Sequence, residues 1–98
     1  HSIEPVKKIL GKEIIADIVG PICETGDFIA LNRKIIKVND NDLLSIKTTG
    51  AYASVMKSNY NAREDAIEIL LHNGKPYQLK KTESIKDIIA KEKIIEFI

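Results

Sequence analysis

The sequence is poor in cysteine and aromatic residues, and it carries no excess of charge of either sign. Its 98 residues include 1 cysteine, no tryptophan and 5% aromatic residues, while 15 basic and 14 acidic side chains leave a formal net charge of +1. A single cysteine cannot close an internal disulfide. Charges of both signs are interspersed, so the chain has no electrostatic footprint for nucleic acid or for an anionic membrane, and we expect it to bind neither.

Long apolar runs, targeting signals and common ligand-binding motifs are also missing. No apolar run reaches membrane-spanning length and no signal peptide is present, which makes the cytoplasm the expected compartment. The two histidines, His1 and His72, lie far apart and neither stands at a zinc-ligand spacing from Cys23, so we predict no metal site. The sequence contains no P-loop or G-x-G-x-x-G, and nothing in it would cradle a phosphate by itself.

Isoleucine dominates the apolar content, which favours β-structure packed by branched side chains. The nearly continuous apolar run within residues 13–20 predicts a buried strand that ends at Gly20-Pro21. Residues 39–42, Asn-Asp-Asn-Asp, form a turn cluster, and residues 43–47 after it predict a second strand with Leu44 and Ile46 on one face. Short strands therefore account for most of the predicted structure.

A hairpin and a terminal helix are predicted in the second half of the chain. Residues 67–72 and 75–81 flank Asn73-Gly74, a pair that supports the positive φ angles of a tight hairpin turn. Ser84 is placed as an N-cap with Asp87 three residues later, which predicts a helix from about residue 85. The chain then ends in an apolar tail that would need a surface to cover it, formed by Ile94, Ile95, Phe97 and Ile98.

Chemistry is most strongly indicated at Cys23-Glu24-Thr25-Gly26-Asp27, which follows Gly20-Pro21-Ile22. Glycine widens the accessible backbone angles and proline fixes its own φ, so this stretch predicts a shaped loop at a strand end. A thiol beside a carboxylate suggests proton transfer. The alternative is that Cys23 is a small buried hydrophobic residue and that Glu24 and Asp27 are turn acids. We interpret Asp27 in particular as a residue that caps the turn backbone.

Two further blocks complete a pattern that resembles a known family. Gly50-Ala51-Tyr52 follows the second strand, and Ser58-Asn59-Tyr60-Asn61 with Arg63 comes soon after. Together with the block around Cys23, they resemble the C-terminal end of diaminopimelate decarboxylase, a pyridoxal-phosphate enzyme. The resemblance covers nearly the whole chain but only a minor part of the family's length.

The resemblance implies a fold and a domain assignment. Residues 1–98 would form the C-terminal β-domain of a pyridoxal-phosphate-dependent decarboxylase, mainly β, a barrel or sandwich like the domain shared with alanine racemase, with a terminal α-helix. The N-terminal barrel domain, which carries the lysine and the phosphate loop in that family, has no counterpart here. We therefore expect the isolated chain to be inactive and not to hold pyridoxal 5'-phosphate.

The resemblance also implies roles for individual residues. Cys23 matches the family's catalytic proton donor, and a thiol is mostly protonated at neutral pH. Glu24 matches the acid that holds the distal ammonium of the substrate through a charge-assisted hydrogen bond. Tyr52 matches the tyrosine that reaches both the cofactor phosphate and the substrate; without the resemblance, we would interpret it as a sheet-packing residue. The remaining polar positions match the third block, and we expect them to shape the loop behind Tyr52 and to take no part in the chemistry, namely Asn59, Tyr60, Asn61 and Arg63.

The partners implied are the barrel domain of the same chain, the second subunit of a homodimer and a small amino-acid substrate. In the family, the cysteine and glutamate come from one subunit and the tyrosine from the other, so Cys23 and Glu24 would act in trans and Tyr52 in cis. The sequence departs from the commonest pattern at Ala53, where many relatives have glycine, and at Thr48-Thr49, where an acidic or small residue is frequent.

Three functions follow in order of preference. The first is the C-terminal part of a lysine-forming diaminopimelate decarboxylase, because Glu24 follows Cys23 where ornithine-type enzymes usually carry aspartate. The second is a related decarboxylase of the same fold group that acts on ornithine, arginine or carboxynorspermidine. The third is a non-catalytic β-domain that only binds a partner, with Cys23 in a structural role.

Overall fold

A computed structural model of the chain describes residues 1–97, and it divides into two compact units, His1–Met56 and Lys57–Ile98. The first unit contains four strands and one helix, namely β1 (Ile3–Pro5), β2 (Glu13–Val19), β3 (Phe28–Ile36), β4 (Leu44–Ile46) and α1 (Gly50–Met56). The second contains a short 3-10 turn (Tyr60–Ala62), then β5 (Ile69–His72), β6 (Lys75–Gln78) and α2 (Ile85–Ile89). Neither α-helix of the described residues, at seven and five residues, approaches the roughly 20 residues of a bilayer-spanning helix.

β2 and β3 form an antiparallel hairpin, and the loop around Cys23 joins the end of β2 to the start of β3. Along β2, half-buried and exposed residues alternate, with Ile14 and Ile18 on the sheltered face and Ile15 on the exposed one. Across from them on β3, Ala30 and Ile35 are the buried apolar residues of the described chain. The prediction of a strand at residues 13–20 is confirmed, but its complete burial is wrong, because a two-stranded ribbon shelters only one face.

Two bulges bend this hairpin. The pairing Ala16↔Arg33 is followed by Ile18↔Ala30 and then by Val19↔Phe28, so β3 carries an extra residue at each step. At the first bulge, Asn32 has a φ of 50° and its backbone N–H donates to Asp17 Oδ1 at 2.8 Å. Asparagine tolerates the left-handed region, and the aspartate satisfies an amide that the ladder leaves unpaired.

β1 pairs antiparallel with β4, and this pairing joins the start of the chain to the strand predicted at residues 43–47. The predicted strand is confirmed, although it spans only Leu44–Ile46. A salt bridge of 2.9 Å between Lys47 Nζ and Glu4 Oε1 spans the same pair of strands. β1, β3 and α1 were not predicted from the sequence.

The hairpin of the second unit turns at Asn73-Gly74, as predicted. Asn73 has a φ of 49° and Gly74 one of 73°, which is the geometry of a tight two-residue turn between antiparallel strands. His72 is the last residue of β5 and pairs with Lys75, so its predicted place beside the turn is confirmed. Both strands are shorter than predicted, since β5 begins at Ile69 and not at residue 67, and β6 ends at Gln78 and not at residue 81.

The predicted capping box at the start of α2 is also present. Ser84 Oγ accepts from the backbone N–H of Asp87 at 3.3 Å, and Asp87 Oδ2 accepts from the backbone N–H of Ser84 at 2.8 Å. Donation from the Ser84 amide is the largest cause that lowers the pKa of Asp87, and donation from the Ser84 hydroxyl adds to it. The charged carboxylate therefore stabilises the first turn of this five-residue helix.

Six polar side chains of the second unit form a network, which we call the Lys57 network (Lys57, Asn59, Asp65, Glu68, Lys80 and Glu83). Lys57 Nζ lies 2.8 Å from Asp65 Oδ1 and 3.7 Å from Glu68 Oε1, and Lys80 Nζ lies 3.2 Å from the same Glu68 oxygen. Glu83 Oε1 accepts from Asn59 Nδ2 at 2.7 Å and from the backbone N–H of Asp65 at 2.8 Å. These contacts join residues 57–65 to Glu68, just before β5, and to Glu83, just before α2.

The mainly β fold with a terminal helix is confirmed, and closure into a barrel or sandwich stays a prediction. Many large apolar side chains of residues 1–97 are exposed, from Leu10 at 97% to Ile69 at 46%. Of the predicted apolar tail, Ile94, Ile95 and Phe97 are exposed, and Ile98 lies outside the described residues. The tail therefore needs covering, as the sequence indicates.

The Lys57 network predicts an acid-sensitive contact. Hydrogen bonding to Lys57 is the largest cause that lowers the pKa of Asp65, so its contribution to stability is present above the unfolded-state pKa and is lost as pH falls through the folded-state pKa. We expect an NMR titration of the Asp65 carboxyl to give a midpoint below the ordinary value, and Lys57→Met to raise that midpoint. Lys75→Met is the matched control, and equal midpoints in all three proteins would contradict the assignment.

Candidate functional site

The loop that joins β2 to β3, residues 20–27, is built from local backbone hydrogen bonds, and we call it the Cys23 loop. The N–H of Gly20 donates to the carbonyl of Asp27 at 2.8 Å, which closes the loop at its base. Inside it, the N–H of Glu24 donates to the Ile22 carbonyl at 2.8 Å, and the N–H of Asp27 donates to the Glu24 carbonyl at 3.1 Å. The predicted shaped loop at a strand end is thus confirmed.

The side chain of Asp27 holds the loop from within. Its Oδ2 accepts a hydrogen bond of 2.8 Å from the backbone N–H of Ile22, so the predicted backbone cap is confirmed. The same carboxylate lies so close to Gly20 that a Cβ added at position 20 would overlap its carbon and both oxygens. Gly20 is therefore required for space, and this close approach was missed in the sequence.

Cys23 and Glu24 stand next to each other on the exposed part of this loop. The Cys23 side chain is exposed, so the alternative that it is a buried packing residue is wrong. The carboxylate of Glu24 is also exposed and folds back over Gly26, where an added Cβ would lie 2.8 Å from Glu24 Oε2. The loop presents a thiol and a carboxylate together to the surroundings.

Tyr52 lies on a different element of the same unit, in the first turn of α1. The sequence did not predict this helix because Gly50 and Val55 are weak helix formers within only seven residues. The side chain of Tyr52 is 77% exposed, so its interpretation as a sheet-packing residue is wrong. Ala53 lies inside the helix and continues it without a break.

The backbone has an uncommon conformation just before α1 and at its first residue. Thr48 has a φ of 58° and Gly50 one of 50°. Gly50 tolerates this region without cost, whereas a β-branched residue such as Thr48 is strained there. Thr48 is one of the positions where the sequence departs from the commonest family pattern.

The segment from Ser58 to Arg63 belongs to the second unit. Asn59 Nδ2 donates to the Arg63 carbonyl at 2.8 Å, and the N–H of Tyr60 donates to Ser58 Oγ at 3.3 Å. Asn61 and Ala62 both have positive φ, at 58° and 56°. These contacts are the kind expected of residues that shape a turn.

The described residues can be tested for fit to the cofactor that the resemblance implies. Tyr52 offers an exposed phenolic O–H, which is a neutral donor suited to a phosphate oxygen. Cys23 and Glu24 carry no positive charge, which suits them to the substrate side of such a site and not to the phosphate. The residue types therefore fit the implied roles.

Comparison with known proteins gives a consistent result. The family model described as "Pyridoxal-dependent decarboxylase, C-terminal sheet domain" matches residues 1–50. A diaminopimelate decarboxylase from Aquifex aeolicus is 45% identical over 89 residues, which are 91% of this chain and 21% of that protein. One from Zymomonas mobilis is 41% identical over 83 residues, which are 85% of this chain and 20% of that protein.

Solved structures agree with the sequence relatives. A diaminopimelate decarboxylase from M. jannaschii, solved in co-complex with L-lysine, is 30% identical with a TM-score of 0.87, over 97% of this chain and 22% of that one. The diaminopimelate decarboxylase of Helicobacter pylori complexed with L-lysine is 29% identical with a TM-score of 0.84, over 94% and 23%. The chain spans about a fifth of the length of the curated relatives.

The strained residue before α1 makes a testable prediction. Left-handed backbone costs an ordinary residue roughly 1–2 kcal/mol, and asparagine is enriched there. We therefore expect Thr48→Asn to raise the free energy of unfolding by up to about 1 kcal/mol in urea denaturation. Thr49→Asn is the matched control because Thr49 is not among the positive-φ residues. An equal effect of the two substitutions would contradict the interpretation.

Proposed function

We propose a function from one premise, which is that this chain belongs to the family of pyridoxal-dependent decarboxylase C-terminal sheet domains. We infer that residues 1–98 act as the C-terminal domain of a diaminopimelate decarboxylase. That enzyme converts meso-diaminopimelate to L-lysine with release of carbon dioxide. The observation that carries the proposal is the Cys23 loop, which presents an exposed thiol and an exposed carboxylate side by side on a hydrogen-bonded frame.

The chemistry divides between the cofactor and this chain. Pyridoxal phosphate, when bound, accepts the electron pair released at carbon as carbon dioxide leaves. A proton must then reach that carbon, and the Cys23 thiol donates it from Sγ. Because a working thiol has to stay reduced, we also propose the cytoplasm as the compartment.

Glu24 binds the distal end of the substrate. Diaminopimelate carries a second ammonium group, and a carboxylate pairs with it by a charge-assisted hydrogen bond. Tyr52 would donate a hydrogen bond from its phenolic O–H to the cofactor phosphate and would contact the substrate. Support for these roles comes from the exposure of all three side chains, which leaves them accessible to a ligand.

We further propose that this domain is covered by the barrel domain of its own chain and by the second subunit of a homodimer. Among the described residues, Ala30 and Ile35 are the buried apolar ones, so most apolar side chains lie on the surface of the chain. Exposed side chains such as Leu10, Leu71 and Phe97 make much of that surface apolar. Surface of this kind indicates partner contacts.

Two other functions remain as candidates. A related decarboxylase that acts on ornithine, arginine or carboxynorspermidine would use the same thiol. It would not need the carboxylate of Glu24 to bind the distal end of diaminopimelate. A non-catalytic β-domain would need neither side chain. The curated relatives at 45% and 41% identity are both diaminopimelate decarboxylases, which supports the first choice.

The role of Glu24 is tested in the full-length decarboxylase that carries this sequence. Glu24→Ala should lower kcat/KM on diaminopimelate by about tenfold to a hundredfold, because one hydrogen bond to a charged group contributes about 1.5–3 kcal/mol. Cofactor absorbance should stay normal. Glu13→Ala, an exposed acid of β2, is the matched control. Steady-state rates within twofold of wild type would rule out the assignment.

The role of Cys23 is tested by Cys23→Ala in the same full-length enzyme. Loss of a positioned general acid lowers the rate by about 10²–10⁴-fold, while cofactor binding should persist because no cofactor contact is assigned to the thiol. Mixing these subunits with subunits that lack the barrel lysine tests the trans geometry. With random exchange of equal amounts, half of the dimers hold one intact site, so roughly a quarter of wild-type activity should return. No recovery despite demonstrated exchange would mean that Cys23 serves its own chain's site or is not catalytic.

A further inference from the structure

Asp27 makes three hydrogen bonds that fix the path of the Cys23 loop. Its carbonyl accepts from Gly20 N–H at 2.8 Å, and its side-chain Oδ2 accepts from Ile22 N–H at 2.8 Å. Backbone and side chain of one half-buried residue therefore hold the loop on either side of Pro21, immediately before Cys23. A third hydrogen bond, from Asp27 N–H to the Glu24 carbonyl at 3.1 Å, holds the other side of the exposed pair.

Gly20 completes this arrangement because it leaves room for the carboxylate. A Cβ at position 20 would overlap the Asp27 carboxyl group, and this group cannot withdraw without releasing the Ile22 amide. The carboxylate is anchored at Ile22, so the overlap would not be relieved as it is at a freely rotating side-chain end. Gly20 and Asp27 thus act as one unit.

We propose that Asp27, with Gly20, is a positioning residue that places Cys23 and Glu24 for the reaction. This inference rests on the proposed function of those two side chains. Asp27 itself touches no substrate in this role; it acts through the loop backbone. Misplacing a reacting group by about 1 Å can lower a rate by about 10²-fold. Release of the loop from Asp27 should therefore lower the catalytic rate.

The substitutions are made in the full-length decarboxylase. Asp27→Ala removes the acceptor, and Gly20→Ala crowds it, so each should lower kcat/KM by roughly tenfold to a hundredfold. Asp27→Asn keeps an amide oxygen that can accept from Ile22, so it should stay within about threefold of wild type. Asp42→Ala is the matched control, since Asp42 Oδ2 caps the Asn39 amide at 2.7 Å in another turn of the same unit. Its activity should not change.

Two readouts separate positioning from general structural damage. In a Glu24→Ala background, Asp27→Ala should cost less than it does in the wild type, because part of its effect passes through Glu24. A purely structural role would give the same loss in both backgrounds and would overturn the proposal. Activity of Asp27→Ala within twofold of wild type, or Asp27→Asn as damaging as Asp27→Ala, would overturn it as well. If Asp27→Ala does not fold, Gly20→Ala takes its place in the comparison with Asp27→Asn. Activity of Gly20→Ala within twofold of wild type, or Asp27→Asn as damaging as Gly20→Ala, would then overturn the proposal.

Hydrogen exchange of the Ile22 amide separates this inference from the proposed function. Exchange should be faster in Asp27→Ala than in Asp27→Asn or the wild type if Asp27 holds the loop. Normal activity of Cys23→Ala and Glu24→Ala would refute the proposed function, and with it the catalytic consequence of positioning. Unchanged exchange at Ile22, with those two variants impaired, would refute the positioning role alone.

Discussion

The carboxylate of Asp27 is the contact on which the geometry of the Cys23 loop depends. It satisfies the Ile22 amide, and it occupies the space that a side chain at position 20 would take. The backbone carbonyl of Asp27 also accepts from Gly20 N–H and closes the base of the loop. One residue therefore holds the end of β2 beside the start of β3. The placement of the Cys23 thiol and the Glu24 carboxylate thus depends on the hydrogen bond between Asp27 and Ile22, in which neither of those side chains takes part.

The two units are stabilised by different interactions. The first has an antiparallel hairpin whose sheltered face includes Ala30 and Ile35, and its bulges turn the ribbon around them. The second contains the Lys57 network, in which charged pairs such as Lys57–Asp65 remain partly exposed. Exposed ion pairs contribute little to stability, so covering the apolar faces of β5 and β6 should contribute more than the charges do.

Local patterns could be predicted from the sequence, whereas features set by distant residues could not. The Asn73-Gly74 turn and the Ser84–Asp87 capping box each depend on residues within four positions, and both are present. β3 was missed because its bulges break the alternation of apolar and polar residues, and β1 was missed because it is three residues long and pairs with β4, about forty residues away. Likewise, Cys23 and Glu24 could be picked out as neighbours, but the approach of Asp27 to Gly20 requires the folded hairpin.

The crowding between positions 20 and 27 has an evolutionary consequence. A larger residue at position 20 conflicts with the aspartate, and a shorter residue at position 27 leaves the Ile22 amide without its acceptor. Each single change is thus costly while the other residue is kept. A residue that accepts from the Ile22 amide at position 27 therefore requires glycine at position 20, and the two should occur together wherever the loop keeps this path.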